Sequence, residues 1–219
     1  RRAGQNYPVY TIKLRTRTGA ESWSDTVTLS PAEGPLANLA SGRELAVENG
    51  AAAYSTTESN KHYLGFSPVG LSGNLEPDEP IIFGRAGSDP EYNTLTAFNR
   101  GSTQALAWLE DNTLKYLPES GQYRQGIVVA EAVEFAKLVG DDTHAQLIWA
   151  QREEQGLSWH SKNIQNAETT QHMLTIASGQ LVAGGLRWSA GGQVEILTAH
   201  NLNPQRASIE LWSTTICTQ

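Results

Sequence analysis

Val9 to Arg15 alternates apolar and polar positions with a period of two, and Thr26-Val27-Thr28-Leu29 does so again after Gly19, which predicts two strands. Ser30-Pro31-Ala32-Glu33 then has capping-box spacing. Pro sits at the first helical position and Leu36, Leu39 and Ala40 follow at helical spacing, so a short helix is expected. Between Asn60 and Glu91, Gly and Pro cluster around Phe66-Ser67-Pro68 and Glu76-Pro77-Asp78-Glu79-Pro80. That composition predicts a long surface loop interrupted by the short strand Pro80-Ile81-Ile82-Phe83. Ala105, Trp108, Leu109 and Tyr116 form a stripe at helical spacing that Pro118 stops, and Val128, Ala132, Phe135 and Val139 form another that Gly140-Asp141-Asp142 ends. Beyond it, Gln146 to Ala150, Gln180 to Trp188, Gln193 to Ala199 and Ser208 to Ser213 are strand-like, with Ser189-Ala190-Gly191-Gly192 as a hairpin turn.

This order predicts an α+β fold: a mixed or split β-sheet, helices in the N-terminal and middle parts, and a C-terminal antiparallel β-meander. No linker-like stretch and no internal repeat of about 20 to 50 residues divides the chain, so residues 1–219 read as one domain.

Composition narrows the class. Hydrophobic residues make up 39% and charged residues 18% of 219 positions, too apolar and aromatic for a disordered tail. The longest apolar runs, such as Ala105 to Leu109 and Ile127 to Ala130, fall far short of a membrane-spanning helix, so no membrane partner is expected. Cys217 is the single cysteine, which excludes an internal disulfide and reads as structural. The chain starts without an apolar leader or an initiator Met, as an excised or processed fragment would. A net charge of −7 argues against a protein that wraps a phosphate backbone, so nucleic acid is not the expected partner. The charge is uneven: Arg1, Arg2, Lys13, Arg15 and Arg17 precede the first acid, Glu21, while Glu76, Asp78, Glu79, Asp89 and Glu91 crowd the middle.

The commonest catalytic signatures are missing. The chain has no phosphate loop, no Gly-x-Gly-x-x-Gly, no His-Glu-x-x-His and no Gly-x-Ser-x-Gly elbow. Its five histidines are dispersed and lack structural-zinc spacing, so no metal is expected.

Three segments stand in a suggestive order. Arg15 closes the first strand, Tyr54-Ser55-Thr56-Thr57 follows a run of small residues, and Gln151-Arg152-Glu153-Glu154 follows the apolar strand Leu147-Ile148-Trp149. This order resembles the Arg, Ser-Thr-Ser, Gln/Glu-x-Glu arrangement of mono-ADP-ribosyltransferases of the cholera and pertussis toxin type. The resemblance implies cleavage of NAD⁺, used as substrate, beside a carboxylate. Glu153 would stabilise the charge building on the ribose, Gln151 would meet the acceptor side chain, and Ser55 would steady the strand. Arg15, or Arg17 on the same face, would clamp the pyrophosphate, with Thr56 and His172 as further cofactor-binding positions. Two departures accompany it: the middle motif is Ser-Thr-Thr, and Ser55 lies 98 residues before Glu153.

The last 50 or so residues are similar to ADP-ribosyltransferase-like C-terminal domains of secreted bacterial effectors. The similarity rests on His172, Gly179, Val182, Ala183-Gly184, Gly192, Val194 and Pro204. Met173 and Leu174 stand where that pattern has two serines, while His160-Ser161 keeps the His-Ser pair further upstream. Together the resemblances imply a toxin or effector domain, secreted or delivered into a target cell and acting on a protein acceptor, and leave open whether an immunity protein accompanies it.

Other readings of the same residues remain open. High Gly, Ser and Thr content with many short strands also suits a non-catalytic β-rich binding or assembly module, including an inactive transferase fold. His160 or His172 would serve a nuclease-type toxin as an acid–base group. Trp108, Trp149, Trp188 and Trp212 read as core residues rather than a stacking platform for bases or sugars.

Overall fold

The computed structural model describes residues 13–15, 19–23, 25–28, 45–58, 61–68, 83–86, 92–118, 126–165, 170–176, 180–189, 192–203 and 206–215. Among them every regular element is a strand and every strand pairing is antiparallel. No helix among the described residues is long and apolar enough to cross a membrane. The predicted α+β class, with its middle helices, is therefore replaced by an all-β architecture. The helix predicted after Ser30 lies outside the described residues.

A short pair, β1 (Lys13–Leu14) and β2 (Val27–Thr28), comes first. Four antiparallel meanders follow in chain order. The first holds β3 (Leu45–Glu48), β4 (Ala51–Glu58), β5 (Lys61–Pro68) and β6 (Phe83–Ala86). The second holds β7 (Tyr92–Arg100), β8 (Thr103–Glu110), β9 (Thr113–Pro118) and β10 (Ile127–Ala130). The third holds β11 (Val133–Gly140), β12 (Ala145–Glu153), β13 (Gly156–Asn163) and β14 (Thr170–Ile176). The fourth holds β15 (Gln180–Ser189), β16 (Gln193–Asn203) and β17 (Arg206–Thr215). These meanders begin at residues 45, 92, 133 and 180, so the structure repeats every 41 to 47 residues although the sequence shows no repeat.

The sheets stack face to face in the order of the chain, and β3, β7, β11 and β15, the first strand of each, lie side by side. Each junction is filled by apolar side chains. Ala51 from the first sheet meets Leu95, Ala97, Leu106, Trp108 and Leu117 of the second. Phe98, Leu109, Leu114 and Tyr116, on the other face of the second sheet, meet Leu138, Leu147 and Trp149 of the third. Ile148, Leu157 and Trp159, on the other face of the third, meet Val194 and Ile196 of the fourth. Full burial of each such Leu, Ile or Val side chain contributes roughly 1.5–3 kcal/mol.

This two-sided burial explains the misread helices. Ala105 to Glu110 in β8 and Ala145 to Ala150 in β12 are buried without interruption, because alternate residues enter different junctions. A strand covered on both faces loses the period-two signal. The stripe from Ala105 to Tyr116 is instead β8 and β9 joined at Asp111-Asn112, where φ is 50° and 62°, the left-handed pair of a type I′ hairpin turn. Likewise, the stripe from Val128 to Val139 is β10 and β11, broken at Ala132 with φ 54°. Phe66-Ser67-Pro68 belongs to β5 rather than to a loop; of the strand expected at Pro80 to Phe83 only Phe83 is among the described residues, as the first residue of β6. The later strands and the turn between Ser189 and Gln193 lie where the alternation placed them. Trp108 and Trp149 are core residues, whereas Trp212 is 40% exposed.

Polar groups pin the sheets together near the first strands. The Leu138 N–H donates to Thr96 Oγ1 at 3.0 Å, joining β11 to β7. Asn49 and Gly50 form the turn between β3 and β4, with φ 48° and 74°. The side-chain amide of Asn49 donates to the carbonyls of Ala97 (3.3 Å) and Leu138 (2.9 Å) in the next two sheets. Asn99 answers from β7, its N–H donating to the Asn49 carbonyl and its side chain to the Gly50 carbonyl.

Candidate functional site

The C-terminal ends of the first strands converge on one pocket of about 400 Å³. Asn49 reaches it from the turn after β3 and Arg100 from the end of β7. Lys137, Val139, Gly140 and Asp141 line it from the end of β11, and Leu186 to Ser189 from the end of β15. Four consecutive sheets thus contribute to one concavity, because their first strands run in the same direction.

The lining is rich in positive charge. Arg100, Lys137 and Arg187 face Asp141 as the one carboxylate among the described lining residues. Arg100 has its Nε buried without a hydrogen-bond partner. Arg187 is 77% exposed and lies 3.6 Å from Glu195, while Lys137 interacts elsewhere as well.

Asp141 is occupied by its own turn and by the next sheet. Its Oδ1 accepts from the Thr143 N–H, the Thr143 hydroxyl and the His144 N–H at 2.8–2.9 Å, and its Oδ2 accepts from Trp188 Nε1 at 3.1 Å. Burial alone would push this carboxyl up, but the four hydrogen bonds outweigh it and hold the group well below the usual carboxylate range. The tight path of this turn depends on Gly140, at φ 152°, where a Cβ would collide with the His144 carbonyl. The helix end expected at Gly140-Asp141-Asp142 is instead this turn between β11 and β12, which the Asp-x-Thr-His pattern marks in the sequence.

A second polar cluster lies at the outer strands of the third sheet. Trp149, Gln151 and Glu153 share one face of β12, and β13 sets His160 opposite Trp149 and Ser158 opposite Gln151. A bulge at Trp159/His160 brings His172 of β14 opposite His160. Glu153 accepts from Ser158 Oγ at 2.7 Å and lies 3.2 Å from His160 Nε2. The His160 ring stacks on Trp149 at 5.4 Å and meets His172 edge-on at 5.4 Å, and His172 Nε2 lies 2.8 Å from Thr175 Oγ1. The Ser158 hydrogen bond, helped by His160 and His172 and opposed by desolvation, holds the Glu153 carboxyl below its ordinary value. Among the described residues no group of three or more His, Cys, Asp or Glu side chains is arranged to hold a metal.

Three of the residues singled out from sequence, Gln151, Glu153 and His172, therefore share one face of the third sheet. The others do not join them in a sheet. Ser55 and Thr56 lie on β4 of the first sheet, and Arg15 follows β1 in the two-stranded pair. Arg17 lies outside the described residues. No local pattern in the sequence marks the pocket residues Arg100 and Lys137.

Three four-stranded meanders and a three-stranded one among the described residues, stacked with their first strands together around a common pocket, have the organisation of β-propeller blades. The sequence matches no known protein-family profile and no curated protein. Among solved structures the chain is similar to a GH43 endo-arabinanase from Bacillus licheniformis, with TM-score 0.39 and 11% identity over 94% of this chain and 88% of that one. It is similar also to an α-L-arabinofuranosidase from Podospora anserina, with TM-score 0.40 and 11% identity over 77% of this chain and 62% of that one. A eukaryotic initiation factor gives TM-score 0.44 and 13% identity over 81% of this chain and 45% of that one. Likeness this slight carries no argument about activity.

The resemblance to mono-ADP-ribosyltransferases is overturned by the architecture itself. That family implied an α+β fold, and the described residues form stacked antiparallel sheets without a helix. A toxin or effector transferase is accordingly not the function of this fold. The C-terminal segment that carried the second similarity is divided between two sheets: His172 lies on β14, which pairs with β13, and Val182 to Gly184 and Val194 lie on the antiparallel strands β15 and β16, while Gly179 and Pro204 lie outside the described residues.

Proposed function

We propose that this chain is a ligand-binding module of stacked β-sheets, with the pocket at the first-strand ends as its binding site. The supporting observation is the convergence of four sheets on one concavity of about 400 Å³, within the range of small-molecule pockets. Binding is favoured over glycoside hydrolysis by the lining: hydrolysis ordinarily takes a pair of carboxyl groups, and Asp141 stands alone among the described lining residues, already accepting four hydrogen bonds.

Amide chemical-shift mapping tests this directly. Titration with a matched set of ribose, ribose 5-phosphate and ribonate is expected to perturb Val139, Gly140, Leu186 and Ser189 with at least one member. Shifts confined to other regions, or none with any member, would overturn the assignment of the pocket.

A further inference from the structure

We infer that the ligand of this pocket is anionic and is anchored by a carboxylate or phosphate group; this rests on the pocket being the binding site. The chain as a whole carries a net charge of −7, yet the pocket gathers Arg100, Lys137 and Arg187 from three different sheets around Asp141. A local excess of cations inside an acidic protein focuses positive potential where the walls exclude water.

Asp141 offsets only one of these three positive charges, and its oxygens already accept from Thr143, His144 and Trp188. These bonds fix it as a strut for the pocket wall. The Arg100 Nε–H is buried without an acceptor, and a buried donor left unpaired is costly, so an incoming oxyanion would relieve it. A guanidinium presents its donors in a planar fork that fits carboxylate or phosphate oxygens, and the Lys137 ammonium adds a point charge. Arg187, although near Glu195, is 77% exposed and able to swing toward a ligand at the mouth. The chemistry common to both anchors is a planar or tetrahedral oxyanion on a small polar body.

Calorimetry with the same matched set, which differs mainly in the charged group, tests the inference on the whole chain. Ribose 5-phosphate and ribonate are expected to bind at least about tenfold more tightly than ribose, and more weakly as NaCl rises from about 0.05 to about 0.5 M. The stronger of the two anions identifies phosphate or carboxylate as the anchor. Replacing Lys137 and Arg187 by Gln together should weaken the anions at least about tenfold and close most of the gap between them and ribose, while Lys137→Arg retains anion binding. Because Arg187 is exposed, Arg187→Glu alone gives a variant safe for folding that should also weaken them. Ribose binding as tightly as ribonate, with shifts in the pocket, would overturn the anionic ligand but leave the binding site standing. Anion binding indifferent to both charge-changing variants would overturn it as well. Failure of every probe to bind or to shift the pocket would remove both readings.

Discussion

The side-chain amide of Asn49 donates to the Leu138 carbonyl at 2.9 Å, across 89 residues of chain and past an intervening sheet. A single side chain in a β-turn thus ties the first, second and third sheets together at the edge of the pocket.

Asn49 combines two functions that substitution can separate. Asn49→Gly keeps the left-handed turn and removes only the amide, leaving two carbonyls without their donor. A loss of about 1–2 kcal/mol in urea unfolding is expected. Asn49→Ala, forced to hold φ near 48°, should lose about 1 kcal/mol more. Equal stabilities for the two variants would show that the turn conformation contributes nothing.

Asp141 makes stability depend on pH with a definite sign. Its carboxyl is depressed in the folded state, so on acidification the unfolded chain takes up this proton first. The stabilisation is complete above the ordinary carboxylate value of ~4 and drains away as pH falls from there toward the folded value. The difference in urea midpoint between the native chain and Asp141→Asn should therefore be widest near neutrality and shrink below pH ~4. A difference constant over that range would mean that the charge on Asp141 is not what its donors stabilise.

Thr198 is fully buried, and its hydroxyl has no hydrogen-bond partner. By alternation along β16 it shares the face of Val194 and Ile196, which packs on the third sheet, where Trp159 Nε1 is also unpartnered. Thr198→Val removes an orphaned polar atom at nearly constant shape and should stabilise the chain by about 1 kcal/mol. Thr198→Ser keeps the hydroxyl and loses the methyl, so its thermal midpoint should fall. If the valine variant melts lower than the native chain, that hydroxyl has a partner at the junction.

The strands near the C-terminus were legible because their faces differ. Val194 and Ile196 of β16 are buried while Gln193 is exposed and Glu195 half-buried, which writes a period of two that only the exposed Leu197 and the buried Thr198 interrupt. The second and third sheets were not legible, because a strand such as Ala105 to Leu109 serves two cores at once and reads as continuous apolar sequence. The turns at Asn49-Gly50 and Asp111-Asn112 carried the missing information, since each marks a hairpin by the residues that tolerate positive φ. The site was harder to read for a different reason. Arg100, Lys137, Asp141 and Trp188 become neighbours only once the stacking places the same ends of successive first strands together. Glu153 and His172 likewise meet through the register of three strands and a bulge, which no spacing in the chain encodes.

Stacking in chain order gives the molecule a largely linear pattern of cohesion, in which a sheet leans mainly on the segments just before and just after it. Loosening would therefore spread from link to link rather than reach all parts at once, with the second and third sheets, each gripped from both sides, the last to give way. Damage to any one link would be felt at the mouth that several of them build jointly.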